Sequence, residues 1–213
     1  MDKNTAAATA LRMQRLATAL EKNNFDAICL ETKEQIVPTL ERLIAKTDTV
    51  SSGGSDTLSE VGVIDWLREY GCVFHDWNAP GMTDEQADEI YHAAFTDDVY
   101  LTSTNAVTEA GELVNIDGGG NRVAAMLFGP KRVIVVVGMN KLVADVKAAI
   151  ARIKEVTTPA LAVQLGLQTP CAVTGRCMNC KPPVSICRKI AILGSQGARG
   201  RVTVILVAEP LGY

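Results

Sequence analysis

The run Val133-Ile134-Val135-Val136-Val137 constrains this chain more than any other stretch. A strand with one wet face alternates apolar and polar side chains. This one is apolar at every position, as an interior strand of a parallel sheet covered on both sides should be. A helical pattern follows it from about Leu142 to Lys154. The same order recurs along the chain. Residues 5–22 carry a helical period, with Asn4 or Thr5 as cap and Asn23-Asn24 as stop. Ala27–Leu30 reads as a short buried strand, and a helix follows with Pro38 in its first turn. An amphipathic stretch runs through Trp66 and Tyr70. Val73-Phe74, Val99–Thr102, Glu112–Ile116 and Val202–Ala208 read as strands. Thr83 and Gln86 form a capping box for a helix reaching Phe95, and Thr158-Pro159 opens one that stops at Gly166. Helices alternating with continuous apolar strands imply an α/β fold with a mostly parallel sheet flanked by helices.

A length of 213 residues suits one domain spanning the chain. Aromatic residues are only 5%, so Val, Ile, Leu and Ala must fill the core. With 21 basic and 24 acidic residues, the net charge of −3 lacks the footprint of a nucleic-acid binder. The apolar runs fall far short of the roughly twenty residues a membrane span requires. Residues 1–24 mix Ala, Leu, Arg and Lys rather than forming a basic-then-apolar leader. The expectation is a soluble, cytoplasmic protein without membrane insertion.

In open parallel sheets, ligands bind beyond the carboxyl ends of the strands. Three loops placed there stand out: Ser51–Ser55, Thr102–Glu109 and Asp117–Arg122. Gly53, Gly54 and Ser55 in the first, and Gly118, Gly119, Gly120 and Asn121 in the third, let the backbone approach an anion, where tight turns are the plainer reading. Neither loop matches G-x-G-x-x-G or G-x-x-x-x-G-K-[ST]. Arg122 adds a guanidinium suited to phosphate or carboxylate. Asn105 belongs to the middle loop, and Asn140-Lys141 follows the strongest strand with an amide and an ammonium. All three loops are expected at one cleft holding a small anionic metabolite. Glu109 is a candidate nucleophile or general base, with a capping or solvent-facing role as its plain alternative. His75 and His92 have no identifiable Ser or Cys partner, which argues against a histidine triad.

Cys29 and Cys72 stand among apolar neighbours and read as buried small hydrophobes. Cys171, Cys177, Cys180 and Cys187 are spaced C-x5-C-x2-C-x6-C. Without an export signal, such a cluster points to metal or redox chemistry rather than structural staples. Cys177 and Cys180 can present two thiolates from one turn, with Cys171 and Cys187 completing a four-sulfur site. Arg176, Lys181, Arg188 and Lys189 would offset the charge, while Pro170, Gly175, Pro182 and Pro183 disfavour regular structure. The spacing fits neither a ferredoxin run nor a zinc ribbon. An iron–sulfur cluster, zinc, reduced surface thiols and redox disulfides all remain open.

Three stretches together resemble a known family: Thr102-Ser-Thr-Asn-Ala-Val-Thr-Glu-Ala-Gly111, Asn115-Ile-Asp-Gly-Gly-Gly-Asn-Arg122 and Gly129-Pro-Lys-Arg-Val-Ile-Val-Val-Val-Gly-Met-Asn-Lys141. They are similar to the LUD, or lactate-utilisation, domain. The cysteine-rich segment 169–189 and Ala208-Glu-Pro-Leu-Gly-Tyr213 look like its subgroup with a cysteine-rich C-terminal segment. The resemblance implies a fold like that of ribose-phosphate isomerase, amino-sugar-phosphate deaminases and CoA transferases. It also implies a genetic association with L-lactate oxidation by iron–sulfur proteins. In CoA transferases a strand-end glutamate is the nucleophile, and Glu109 lies in a comparable setting without the surrounding motif. Ser51–Ser55 is similar in type to the anion loop of sugar-phosphate isomerases.

Two functions follow as expectations. One is an accessory, metal- or cluster-binding component of L-lactate or related organic-acid oxidation, working with iron–sulfur oxidoreductase partners. The other is a small-molecule enzyme acting on a phosphorylated or carboxylated metabolite. A metal or redox sensor is a weaker third reading, and a homo-oligomer is compatible with each.

Overall fold

A computed structural model describes residues 2–213. Helix α1 (Lys3–Lys22) leads into β1 (Asp26–Leu30), α2 (Ile36–Leu43) and β2 (Thr49–Ser52). The chain continues through α3 (Asp56–Glu60), α4 (Val63–Tyr70), β3 (Val73–His75), α5 (Asp84–Ala93) and β4 (Val99–Thr102). Next come β5 (Ala106–Thr108), β6 (Leu113–Asp117), α6 (Asn121–Leu127), β7 (Arg132–Gly138) and β8 (Leu142–Val143). Helices α7 (Val146–Arg152), α8 (Thr158–Gln164) and α9 (Pro170–Thr174) precede β9 (Lys189–Leu193) and β10 (Val202–Val207).

The larger sheet has six strands in the order β1-β10-β7-β4-β2-β3, every pair parallel. Strand β7 sits inside it, and its alternation explains its composition. Val133, Val135 and Val137 pack with Met13, Leu16 and Leu20 of α1 on one face. Ile134 and Val136 pack with Leu40, Leu58 and Leu67 of α2, α3 and α4 on the other. Each such side chain contributes roughly 1.5–3 kcal/mol on burial, so neither face of β7 tolerates polar residues.

The smaller sheet, β8-β5-β6-β9, is mixed: β6 runs antiparallel to β5 and β9, and β8 parallel to β5. It corrects several expectations. Thr102–Glu109 is not all loop, because Ala106–Thr108 pairs with Leu113 and Val114 in a hairpin. Leu142 begins a strand, and the helix starts only at Val146, where the Asp145 carboxylate accepts from the Ala148 amide. Strand β9 lies in a stretch where none was expected.

Other local readings shift by small amounts. Helix α1 is capped by Asp2 rather than Asn4 or Thr5. Thr83 and Gln86 do form the capping box of α5. Pro38 does fall in the first turn of α2. Proline in the cysteine segment does not prevent a helix: Pro170 takes the first position of α9, where a missing N–H costs nothing, behind the Thr169 cap. Cys29 is exposed and Cys72 half-buried, not core residues. They lie on or beside β1 and β3, the two edges of the large sheet, where a strand has one neighbour. Among the described residues, no helix is long and apolar enough to cross a membrane.

Candidate functional site

A cavity of about 680 Å³ opens where β2, β4 and β6 end, with β7 supplying Lys141 just beyond its own end. The chain leaves each strand toward this rim, so all three sequence loops reach it. Gly54 and Ser55, Asn105, Gly118, Asn121, Arg122 and Lys141 line the cavity.

Arg122 is 9% exposed and works mainly as a strut. Its Nη1 donates to the Asn115 side-chain oxygen at 2.6 Å and the Ser103 carbonyl at 3.2 Å. Nη2 donates to the Asn105 side-chain oxygen at 3.1 Å. One guanidinium thus ties the β4 end to β6, and its charge stays in the wall. Burial pulls its pKa down, opposed by Asp117, but a guanidinium remains ionised. Arg152 braces the same region from α7, donating to the Asn105 and Asn140 carbonyls and the Thr157 hydroxyl.

The glycine loops are less open than their composition implies. Asp117 Oδ1 accepts from the Gly120 amide and Oδ2 from the Val123 amide, each at 3.2 Å. That carboxylate occupies donors an incoming anion would need. Gly119 is exposed, Gly120 packs against Lys189, and neither lines the cavity. Gly53 lies beneath the rim, where a Cβ would sit 2.6 Å from Tyr100 Oη and 2.8 Å from Arg122 Cγ. Close packing, not ligand approach, requires glycine there.

Lys141 is the most unusual group. It is 4% exposed, and its Nζ donates to Thr57 Oγ1 at 2.7 Å and Ser103 Oγ at 3.0 Å. Among the described residues, no carboxylate forms an ion pair or hydrogen bond with it. Burial pulls its pKa down to about 7, aided by the charges of Arg152 and Arg122 and opposed by Asp56 and Glu60. Near neutral pH much of this amine is unprotonated, unlike the rim ammonium expected from sequence. Its hydroxyl partners were missed; Thr57 follows Ser55 by two residues, and Ser103 lies in the middle loop. Trp77 and Tyr91, with ring centroids 5.6 Å apart, and Tyr213 add an aromatic lining.

Two residues are placed elsewhere. Asn140 holds the C-terminal segment: its Nδ2 donates to the Gly212 carbonyl at 3.0 Å, and its Oδ1 accepts from the Leu211 amide at 3.0 Å. Glu109 is exposed at the far end of the β5–β6 hairpin from the cavity, its amide donating to the Val143 carbonyl at 2.9 Å. The structure does not bring this carboxylate to the cleft, so nothing in the geometry supports it as a nucleophile there.

The cysteines divide between roles. Cys171 is buried, with Sγ 3.2 Å from Thr169 Oγ1. Cys177 Sγ accepts from the Asn179 amide at 3.4 Å. Cys187 lines the cavity, 3.5 Å from Thr158 Oγ1. Burial pushes the Cys187 thiol up, and the other three thiols lie near enough to push the same way. Yet among the described residues no three His, Cys, Asp or Glu side chains gather as a metal-holding group. As arranged here, the four sulfurs do not fit a zinc ion or an iron–sulfur cluster.

Comparison with known proteins agrees with the fold. A protein of the DUF162 family from Deinococcus radiodurans has a similar structure, with a TM-score of 0.51 and 15% identity over 93% of this chain and 98% of that one. Ribose 5-phosphate isomerase from Plasmodium falciparum matches over 64% of this chain and 54% of its own, at 12% identity and a TM-score of 0.29. No curated protein matches the sequence. The model of the LUD domain matches residues 13–207, nearly the whole described chain, and the protein therefore belongs to the LUD domain family.

Proposed function

We propose that the protein is a small-molecule enzyme whose cleft takes a metabolite bearing a carboxylate or phosphate, in the setting of L-lactate or related organic-acid oxidation. One observation carries this reading. Separate strand ends and helices bring Arg122 and Lys141 to one cavity, with Arg152 bonded to the carbonyl of the lining residue Asn105 and the Thr57 and Ser103 hydroxyls on the amine. Positive charge held in a low-dielectric wall favours an anion, and an amine of near-neutral pKa can give or take a proton there. The aromatic rings suit the non-ionic part of such a ligand.

Isothermal titration with L-lactate, pyruvate and phosphorylated three- to five-carbon sugars tests this. At least one should bind, and Lys141→Met should weaken it about tenfold or more. No binding by any carboxylate or phosphate would overturn the reading.

A second reading keeps the cysteine segment as a metal or cluster site serving iron–sulfur oxidoreductase partners. The mutual electrostatic reach of the four thiols supports it, and the segment would have to rearrange to bring them together. Anaerobic reconstitution with iron and sulfide, or with zinc, followed by metal analysis, tests it. Uptake that any single Cys→Ser change abolishes supports one shared site; no uptake removes the idea.

A further inference from the structure

We propose that Lys141 is a covalent attachment point, its free amine condensing with the carbonyl group of an anionic ketone or aldehyde to form an imine. This rests on the cleft reading above and names the substrate class more narrowly.

An imine-forming lysine must be unprotonated, reachable from the site and close to groups that move protons. Lys141 lines the cavity, and every side chain hydrogen-bonded to its Nζ is a hydroxyl. A carboxylate in contact would hold the amine protonated; here the largest charge effects on it come from guanidinium groups. Arg152 of α7 and Arg122 of α6 face it and favour the free amine, while Asp56 and Glu60 of α3 favour the ammonium more weakly than burial disfavours it. The same guanidinium charges that suppress the ammonium favour an anionic group on the incoming carbonyl compound.

The steps balance without an oxidant. The Nζ lone pair forms a bond to the carbonyl carbon, and the proton released from nitrogen passes to the former carbonyl oxygen, giving a carbinolamine. Protonation of that hydroxyl lets it leave as water, and the nitrogen lone pair completes the C=N bond. The hydroxyls of Ser103 and Thr57, at 3.0 and 2.7 Å from Nζ, are within hydrogen-bond reach of an oxygen on the carbon bonded to that nitrogen. They can pass it a proton directly. Once formed, a protonated imine is an electron sink for reactions at the adjacent carbon.

The test is reductive trapping of the full chain with cyanoborohydride and either pyruvate or dihydroxyacetone phosphate, the two arms separating carboxylate from phosphate. Intact mass should show one adduct, equal to the probe less one oxygen atom, and peptide mapping should place it on Lys141. Labelling at Lys141 should already be near its plateau a little above pH 7, whereas surface lysines, with pKa near 10.4, label only as pH rises further. Lys141→Arg should abolish the adduct with cooperative unfolding retained, and Ser103→Ala should slow it about tenfold or more. Label spread over surface lysines with none at Lys141 would overturn the inference. So would ligand binding by calorimetry without any adduct, and that outcome would leave the cleft reading standing. Neither binding nor adduct would remove both.

Discussion

Replacing Lys141 with Met removes the buried amine at nearly constant volume and should make the stability difference from the native chain depend on pH. The amine's pKa falls from 10.5 to about 7 on folding. Below pH 7 the group is protonated in both states, and folding bears the full cost of burying the charge. Between pH 7 and 10.5 the unfolded chain holds a proton the folded chain lacks, so native stability rises with pH. Above that window the amine is neutral in both states and the cost is gone. At about 1.4 kcal/mol per pH unit the full cost is about 5 kcal/mol. The hydrogen bonds lost at Thr57 and Ser103 reduce the net gain to about 2–4 kcal/mol. Near pH 6 Lys141→Met should therefore be the more stable protein; near pH 10 it should be slightly the less stable, by about 1 kcal/mol. Urea unfolding of both proteins at several pH values measures this, because every other titrating group cancels in the difference. A difference that stays constant across pH would refute the argument.

Three further outcomes follow from the site. Arg122→Leu should destabilise the protein by about 3–5 kcal/mol in urea, since Asn115, Asn105 and Ser103 lose their shared donor. Gly53→Ala should cost about 2 kcal/mol in the same assay, because its Cβ would meet Tyr100 and Arg122. Glu109→Gln should change neither stability, within about 0.5 kcal/mol, nor ligand affinity; a lost ligand would instead place Glu109 in the site.

The legible parts of the fold were those with a single physical cause. Val133–Val137 declares a doubly covered strand because both of its faces meet helices, and Thr83 with Gln86 declares a helix start through its own hydrogen bonds. The smaller sheet was hidden because Ala106–Thr108 and Leu142–Val143 are too short to show a period. Lys189–Leu193 follows a proline- and cysteine-rich stretch, and its Ile190 and Ile192 face solvent. Within the site, Lys141 and Asn105 were legible from position, since strand ends share a rim. Asn140 was misplaced because its partners, Leu211 and Gly212, are distant in sequence. Asp117's occupation of its own loop's amides likewise needs coordinates, since composition shows the glycines but not which donors are already taken.

The position of β10 has a consequence for how the chain is made. The last strand in sequence lies between β1, the first, and β7. Until residues 202–207 leave the ribosome, β1 has no partner and one edge of β7 presents an unpaired Val-Ile-Val-Val-Val template. An apolar edge of that kind invites pairing with another chain. Loop closure across nearly the whole length also makes the final pairing slow. From the making of Val137 until Val207 emerges, a nascent chain of this protein therefore carries its most aggregation-prone segment with one edge unpaired, and loss of Val202–Val207 would harm yield before it harmed any site residue.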